Sequence, residues 1–298
     1  MNTDWIRGCA TALITPFRKD GSIDEDRLKQ FVEWQIAKGM RMLVPCGTTG
    51  ETATTSETED DRIIELTIAQ NKGRARIIAG TGSNSTKSAV QYSVQARDAG
   101  ADAVLVVAPY YNKPTQAGMY AHFRAVAEAV PNLPVILYNV PGRTGSNLQA
   151  ATTLKLAKEV PNIAAVKEAS GDMSQIMQIL RNRPAGFKVL SGDDAVTFPI
   201  MALGGDGVIS VASNEIPDLM TKLCDLCLKS DWPAARELHY RLLPLMDINF
   251  IESSPGPVKA ALAMMGNIEE NFRLPLVPIQ DASRTMLKEV LTELGLIK

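Results

Sequence analysis

The amino-acid sequence predicts a (β/α)8 TIM barrel, a closed parallel sheet of eight strands wrapped in helices, followed by a C-terminal helical extension. Three observations lead there. Short apolar strands alternate with amphipathic helices eight times within about 230 of the 298 residues. The strands are apolar throughout rather than alternating, the pattern of a parallel sheet covered on both faces. No G-x-G-x-x-G follows the first strand, which weighs against an open doubly wound sheet, the alternative arrangement of such units. From Trp232 the pattern is purely helical, so the chain divides into a barrel over 1–230 and an extension over 231–298, with no low-complexity linker between them.

Taken in order, residues 8–17 read as the first strand. A helix over 24–38 follows, with Leu28, Phe31, Val32, Trp34 and Ile36 on its apolar face. The strand 40–46 ends in the loop Gly47-Thr48-Thr49-Gly50-Glu51. Next comes a helix over 56–71, with Ser56 as N-cap and Glu59 three residues on, the signature of a capping box. Strands over 75–82, 101–109 and 134–141 alternate with helices over 85–99, 115–130 and 148–159. The strand that begins at Ile163 is followed by a helix over 172–181, a strand over 187–191, a helix over 194–203, a strand over 205–212 and a helix over 217–229. The extension carries helices over 232–248, 255–266 and 282–296.

Composition narrows the function. Hydrophobic residues make up 45% and charged residues 21%, ordinary for a globular protein with a sizeable core. The formal charge of −2 and the lack of long like-charge runs point away from nucleic acid and anionic membrane surfaces as partners. No apolar run is long enough to span a bilayer and residues 1–7 lack a signal-peptide core, so the expectation is a cytosolic protein. Cys224 and Cys227 form a C-x-x-C within a helical pattern, with neither a second pair nor a nearby histidine. Together with Cys9 and Cys46 they read as small buried hydrophobes rather than a zinc site. His122 and His239 are the only histidines, too few for a multi-histidine metal centre.

The chemistry is organised around Ile163-Ala164-Ala165-Val166-Lys167-Glu168-Ala169-Ser170, a buried-type strand with a lysine in its middle. Alternation puts Ala165, Lys167 and Ala169 on one face and Val166 and Glu168 on the other. Such a lysine has little water around it, which disfavours the ammonium and favours the nucleophilic amine. A lysine that snorkels to solvent or pairs with an acid fits this strand alone equally well.

Functional groups of a barrel collect at the carboxyl ends of its strands. Gly47-Thr48-Thr49-Gly50-Glu51 allows a tight turn whose N–H groups and hydroxyls converge, either a cradle for a carboxylate or a plain turn. Pro109-Tyr110-Tyr111-Asn112-Lys113-Pro114 sets two tyrosines in a loop. In Tyr138-Asn139-Val140-Pro141-Gly142-Arg143-Thr144-Gly145, Tyr138 takes an inward position and Arg143 is a natural clamp for a second carboxylate. Ser191-Gly192-Asp193-Asp194 reads more readily as a helix cap than as chemistry. A buried lysine, phenolic proton carriers, a carboxylate cradle and an arginine suit imine chemistry on an α-keto acid.

These motifs, with Gly207-Val208-Ile209-Ser210, resemble the class I pyruvate-dependent aldolase superfamily, whose branches include dihydrodipicolinate synthases and N-acetylneuraminate lyases. The resemblance covers the chain from the first strand to the C-terminal helices. Arg143 after Tyr-Asn-Val-Pro points to the synthase branch. The resemblance implies that Lys167 forms an imine with pyruvate, that the derived enamine adds to L-aspartate 4-semialdehyde, and that the product amine displaces Lys167 as the ring closes. Tyr138 would shuttle protons, linked by Thr48 to Tyr111 of a neighbouring subunit. Thr49 would hold the pyruvate carboxylate and Arg143 that of the semialdehyde, while the backbone at Gly192 and Ile209 would line the pocket. No metal or organic cofactor is implied, and the assembly would be a homodimer or homotetramer.

An aldolase of the same superfamily acting on a 2-keto-3-deoxy sugar acid or N-acetylneuraminate remains the alternative, and a non-enzymatic α-keto acid sensor is a second one. Feedback-sensitive synthases of the family grip L-lysine with a histidine, an asparagine and a glutamate below the tyrosine loop. Asn84 and Tyr110 are kept, but Glu57 and Ser88 stand where the histidine and glutamate would be, which implies weak or absent inhibition by lysine.

Overall fold

The computed structural model describes residues 2–298. Eight parallel strands close in sequence order: β1 (Gly8–Ala12), β2 (Met42–Val44), β3 (Arg76–Gly80), β4 (Ala103–Val107), β5 (Val135–Asn139), β6 (Ile163–Glu168), β7 (Lys188–Ser191) and β8 (Gly207–Ser210), which pairs with β1. Between them run α1 (Glu25–Ala37), α2 (Glu57–Asn71), α3 (Thr86–Ala99), α4 (Gln116–Ala129), α5 (Pro141–Thr144), α6 (Ala150–Glu159), α7 (Met173–Asn182) and α8 (Thr197–Ala202). After β8 follow α9 (Pro217–Leu228), α10 (Trp232–Ile248), α11 (Gly256–Met264) and α12 (Asp281–Glu293). This is the expected barrel, with strands shorter than the apolar runs that announced them, because the ends of those runs belong to loops.

Local chemistry starts the helices. Asp24, Ser56, Ser85, Thr115 and Asp172 each accept a backbone N–H of the first turn, and Ser56 and Glu59 complete the expected capping box. Two apolar layers result. The larger lies between strands and helices and takes in Leu43, Val104, Leu137, Val166 and Val189. The smaller fills the barrel interior with Ala10, Ala12, Met42, Ile78, Ile136, Ala165, Leu190 and Ile209. Alanines of β1, β4 and β6 are among its members. All four cysteines are buried and unpaired.

In β6 the alternation is interrupted. The pairing with β5 runs Val135–Ile163 and then Ile136–Ala165, so Ala164 is an extra residue, and Ala164 and Ala165 both face inward. Because a one-residue slip exchanges the two faces of a strand, this irregularity sets the phase that turns Lys167 into the barrel and Glu168 toward the helices. The expected grouping of Ala165 with Lys167 and of Val166 with Glu168 holds.

Candidate active site

Lys167 sits opposite Tyr138 in the β5–β6 register. Only 6% of it is exposed, and its Nζ lies 4.2 Å from the centroid of the Tyr138 ring. Among the described residues no carboxylate comes within ion-pairing distance of that amine and no hydrogen bond claims it, so the paired-lysine reading of the strand does not hold. Glycine at 192 leaves the room it needs. A Cβ there would lie 3.0 Å from Cε and 3.1 Å from Cγ of Lys167.

Above the lysine is a cavity of about 170 Å³, lined by Lys167, Tyr138, Thr48, Thr49, Arg143 and Gly192, together with Asp193, Phe250 and Ser254. Six of the eight expected site residues are thus brought together. The other two stand apart: Ile209 packs within the inner apolar layer, and Tyr111 is 88% exposed at the tip of its loop. Tyr111 holds a backbone φ of +69°, and Lys113 one of +45°, conformations that cost energy for residues with side chains. The loop is pinned by Tyr111 N–H to the Thr144 carbonyl (3.2 Å) and by the Asn112 amide to the Asn84 carbonyl (2.9 Å). Among the described residues the hydroxyls of Tyr138, Thr48 and Tyr111 have no partner within the chain.

Thr48, Thr49 and Gly50 form one turn of 3-10 helix, and Glu51 follows in the left-handed region at φ +58°. The turn is tied to the barrel by Thr15 Oγ1, which donates to the Gly50 carbonyl at 2.7 Å. Glu51 then reaches the C-terminal extension. Its Oε1 lies 2.5 Å from Lys259 Nζ, with both side chains fully buried. Lys259 also donates to the carbonyls of Thr15 (3.1 Å) and Asn271 (2.6 Å), and its ammonium lies over the rings of Phe17 and Phe272. Burial holds the Lys259 ammonium below the usual lysine range, against the opposing pull of Glu51. Every donor is matched, so the pair is a clamp beneath the threonine turn.

A second network zips β5 to β6 on the helix side. Glu168 accepts from Asn139 (3.1 and 3.2 Å), Gln175 (3.1 Å) and the Ser170 N–H (2.8 Å). Burial raises its carboxyl. Because Asn139 and Glu168 follow Tyr138 and Lys167 in register, this network holds Tyr138 and Lys167 side by side.

Sequence reasoning passed over Glu168, Lys259 and Asp193 as site residues, and it read 191–194 as a helix cap. The cap is absent: α8 starts at Thr197 with Val196 before it and no side-chain cap, and Asp194 instead accepts the N–H groups of Val211 and Ala212, both at 2.9 Å, where β8 ends. The signal that marked Glu168 and Lys259 was charge at buried positions, but Lys259 finds its carboxylate partner 208 positions away and Glu168 its Asn139 partner 29 positions away.

Beside the first cavity is another, of about 380 Å³, lined by Thr48, Thr52, Glu57, Asp60, Tyr110 and Arg143 among others. Glu57 Oε1 accepts from Gln95 Nε2 at 2.9 Å and from the Gln91 amide, so the carboxylate is held against α3. Among the described residues no cluster of histidine, cysteine and carboxylate side chains is suited to hold a metal ion, and no helix is long and apolar enough to cross a membrane.

The sequence profile of the dihydrodipicolinate synthetase family matches residues 5–294. A 4-hydroxy-tetrahydrodipicolinate synthase of Koribacter versatilis is 54% identical over 294 residues, covering 98% of this chain and 97% of that protein. Among solved structures, the chloride-inhibited dihydrodipicolinate synthase of Acinetobacter baumannii complexed with pyruvate superposes with a TM-score of 0.96 at 44% identity. That match covers 98% of this chain and 100% of the other. The lysine-bound enzyme of Cyanidioschyzon merolae superposes with a TM-score of 0.96 at 38% identity, covering 98% and 99% of the two chains.

Proposed function

The chain belongs to the dihydrodipicolinate synthetase family, and on that footing we propose how its residues carry the family's reaction. The activity is 4-hydroxy-tetrahydrodipicolinate synthesis, the condensation of pyruvate with L-aspartate 4-semialdehyde through a lysine Schiff base, at the entry to diaminopimelate and lysine biosynthesis. The sugar-acid aldolase alternative is not favoured, since full-length relatives are synthases and Arg143 is in the cavity.

In this reading Lys167 Nζ attacks the pyruvate ketone, water leaves, and the imine loses a methyl proton to become an enamine. The single observation that carries it is the buried, unpaired amine of Lys167 facing an open cavity. Tyr138 serves as the proton carrier, its ring against the amine. Thr49 and the N–H groups of its turn receive the pyruvate carboxylate, which leaves the ketone facing the lysine. Arg143 receives the carboxylate of the semialdehyde. Thr48 connects Tyr138 to Tyr111 of a second subunit. The unpartnered hydroxyls and the exposed, strained placement of Tyr111 support that completion across a homodimer, which a homotetramer would repeat. Residues 231–298 act as a brace of the catalytic barrel over 1–230, as the Lys259–Glu51 pair suggests.

A coupled assay tests the reading. With pyruvate present, L-aspartate 4-semialdehyde supports turnover and polyhydroxy aldehydes do not. Preference for a sugar aldehyde would overturn it.

A further inference from the structure

The second substrate carries an ammonium group as well as a carboxylate, and that ammonium must lose a proton before its nitrogen can displace Lys167. Arg143 answers the carboxylate. Among the residues that line the cavity Asp193 is the only acid. The other carboxylates nearby do not face it: Glu168 is engaged by Asn139 and Gln175 on the helix side, Glu51 by Lys259, and Asp194, whose Oδ2 accepts the N–H groups after β8, is 1% exposed and outside the lining. Resting on the function proposed above, we propose that Asp193 binds the ammonium of L-aspartate 4-semialdehyde and accepts its proton, so that it both selects the amino-bearing aldehyde and acts as the base for ring closure.

The position of Asp193 suits that role. Its Oδ1 accepts the Ala195 N–H at 3.0 Å, while Oδ2 has no hydrogen bond or ion pair among the described residues. Its backbone is fixed, the carbonyl accepting Ser191 Oγ at 2.6 Å and Thr197 Oγ1 at 2.9 Å. The preceding residue, Gly192, packs on the lysine side chain itself. Burial raises the carboxyl of Asp193, and Asp247 of α10 pushes in the same direction. A carboxylate made more basic than usual can hold an ammonium and then take its proton.

The step balances. One ammonium proton passes to Asp193 Oδ2. The freed nitrogen lone pair forms a bond to the imine carbon as the C=N π pair moves to Nζ of Lys167. A second proton shifts from the attacking nitrogen to Nζ, the carbon–Nζ bond breaks, and Lys167 leaves as the free amine. The ring is released as an iminium that loses its last proton to water, and Asp193 returns its own proton to solvent.

Succinic semialdehyde has the same carbon chain and carboxylate without the amine, which makes it the control. Asp193→Asn keeps the size of the side chain and the acceptor for Ala195. In this variant turnover of L-aspartate 4-semialdehyde is expected to fall roughly 100-fold or more, the scale of a lost general base. Trapping of the pyruvate imine, and of its open-chain adduct with succinic semialdehyde, should stay within about twofold of the unaltered enzyme. Asp193→Ser, a smaller side chain that retains an acceptor, serves as the second variant should the first fold poorly. Equal loss on both acceptors, or unchanged turnover of the semialdehyde, would overturn the role of Asp193. No turnover by the unaltered enzyme would overturn the functional reading itself, and this proposal with it.

Discussion

Glu57 shows how much a single position can decide. The resemblance implied a missing cation grip, because Glu57 and Ser88 replace the histidine and glutamate of lysine-sensitive relatives. The structure adds that the Glu57 carboxylate is held by Gln91 and Gln95 of α3, the helix that also carries Ser88. A ligand ammonium would have to break those bonds, and a ligand carboxylate would meet a like charge. Losing a charge-assisted partner weakens binding by roughly 1.5–3 kcal/mol, or about one to two decades in affinity. Weak or absent inhibition by L-lysine is therefore expected when the coupled assay is titrated at fixed pyruvate. Half-inhibition below about 1 mM lysine, a tight regulator on the affinity scale, would show this to be wrong. At this scale Lys167 and Tyr138 were legible because each is a polar side chain near the end of an apolar strand, and Arg143 because it stands in the loop that follows one. Asp193 was not, because an acid beside a glycine at a helix entrance has the same local pattern as a cap.

At the scale of elements, the threonine turn after β2 is held from beneath by the extension. Glu51 and Lys259 are 208 positions apart, and no local pattern links them. Removing one partner leaves a buried charge alone, which costs roughly 3–5 kcal/mol. Lys259→Met is thus expected to lower the thermal midpoint sharply and, where it folds, to raise KM for pyruvate by loosening the turn that holds Thr48 and Thr49. Adding Glu51→Gln should restore part of the stability by removing the stranded carboxylate. A midpoint equal to that of the unaltered protein in the single variant would refute the clamp. Periodicity announced the long helices, and the pair Ser56 and Glu59 announced the capping box of α2. It missed α5, whose four residues begin with Pro141, and the two 3-10 turns at 48–50 and 212–214, because a single turn has no period to detect. It also missed the extra residue at Ala164, since alanine reads the same on either face.

For the whole molecule, eight apolar strands joined by helices made the closed barrel legible, while the assembly was not. Tyr111 is the residue on which the proposed dimer can be tested: a large aromatic ring, almost fully exposed and held in a strained conformation. If a second subunit receives it, Tyr111→Phe loses turnover but still forms the pyruvate imine. Mixing inactive Tyr111→Phe with inactive Lys167→Ala should then recover activity, because each hybrid dimer has one site with both original residues. Subunit exchange without recovery would count against a shared site.

The central claim is that the Lys167 amine is the nucleophile. Borohydride added with pyruvate reduces an imine to a stable secondary amine, and mass spectrometry of the digested protein locates it. The account predicts one adduct per chain, on the peptide containing Lys167, and none in Lys167→Ala, with nearly all activity lost. An adduct on another lysine, or undiminished labelling of Lys167→Ala, would contradict it.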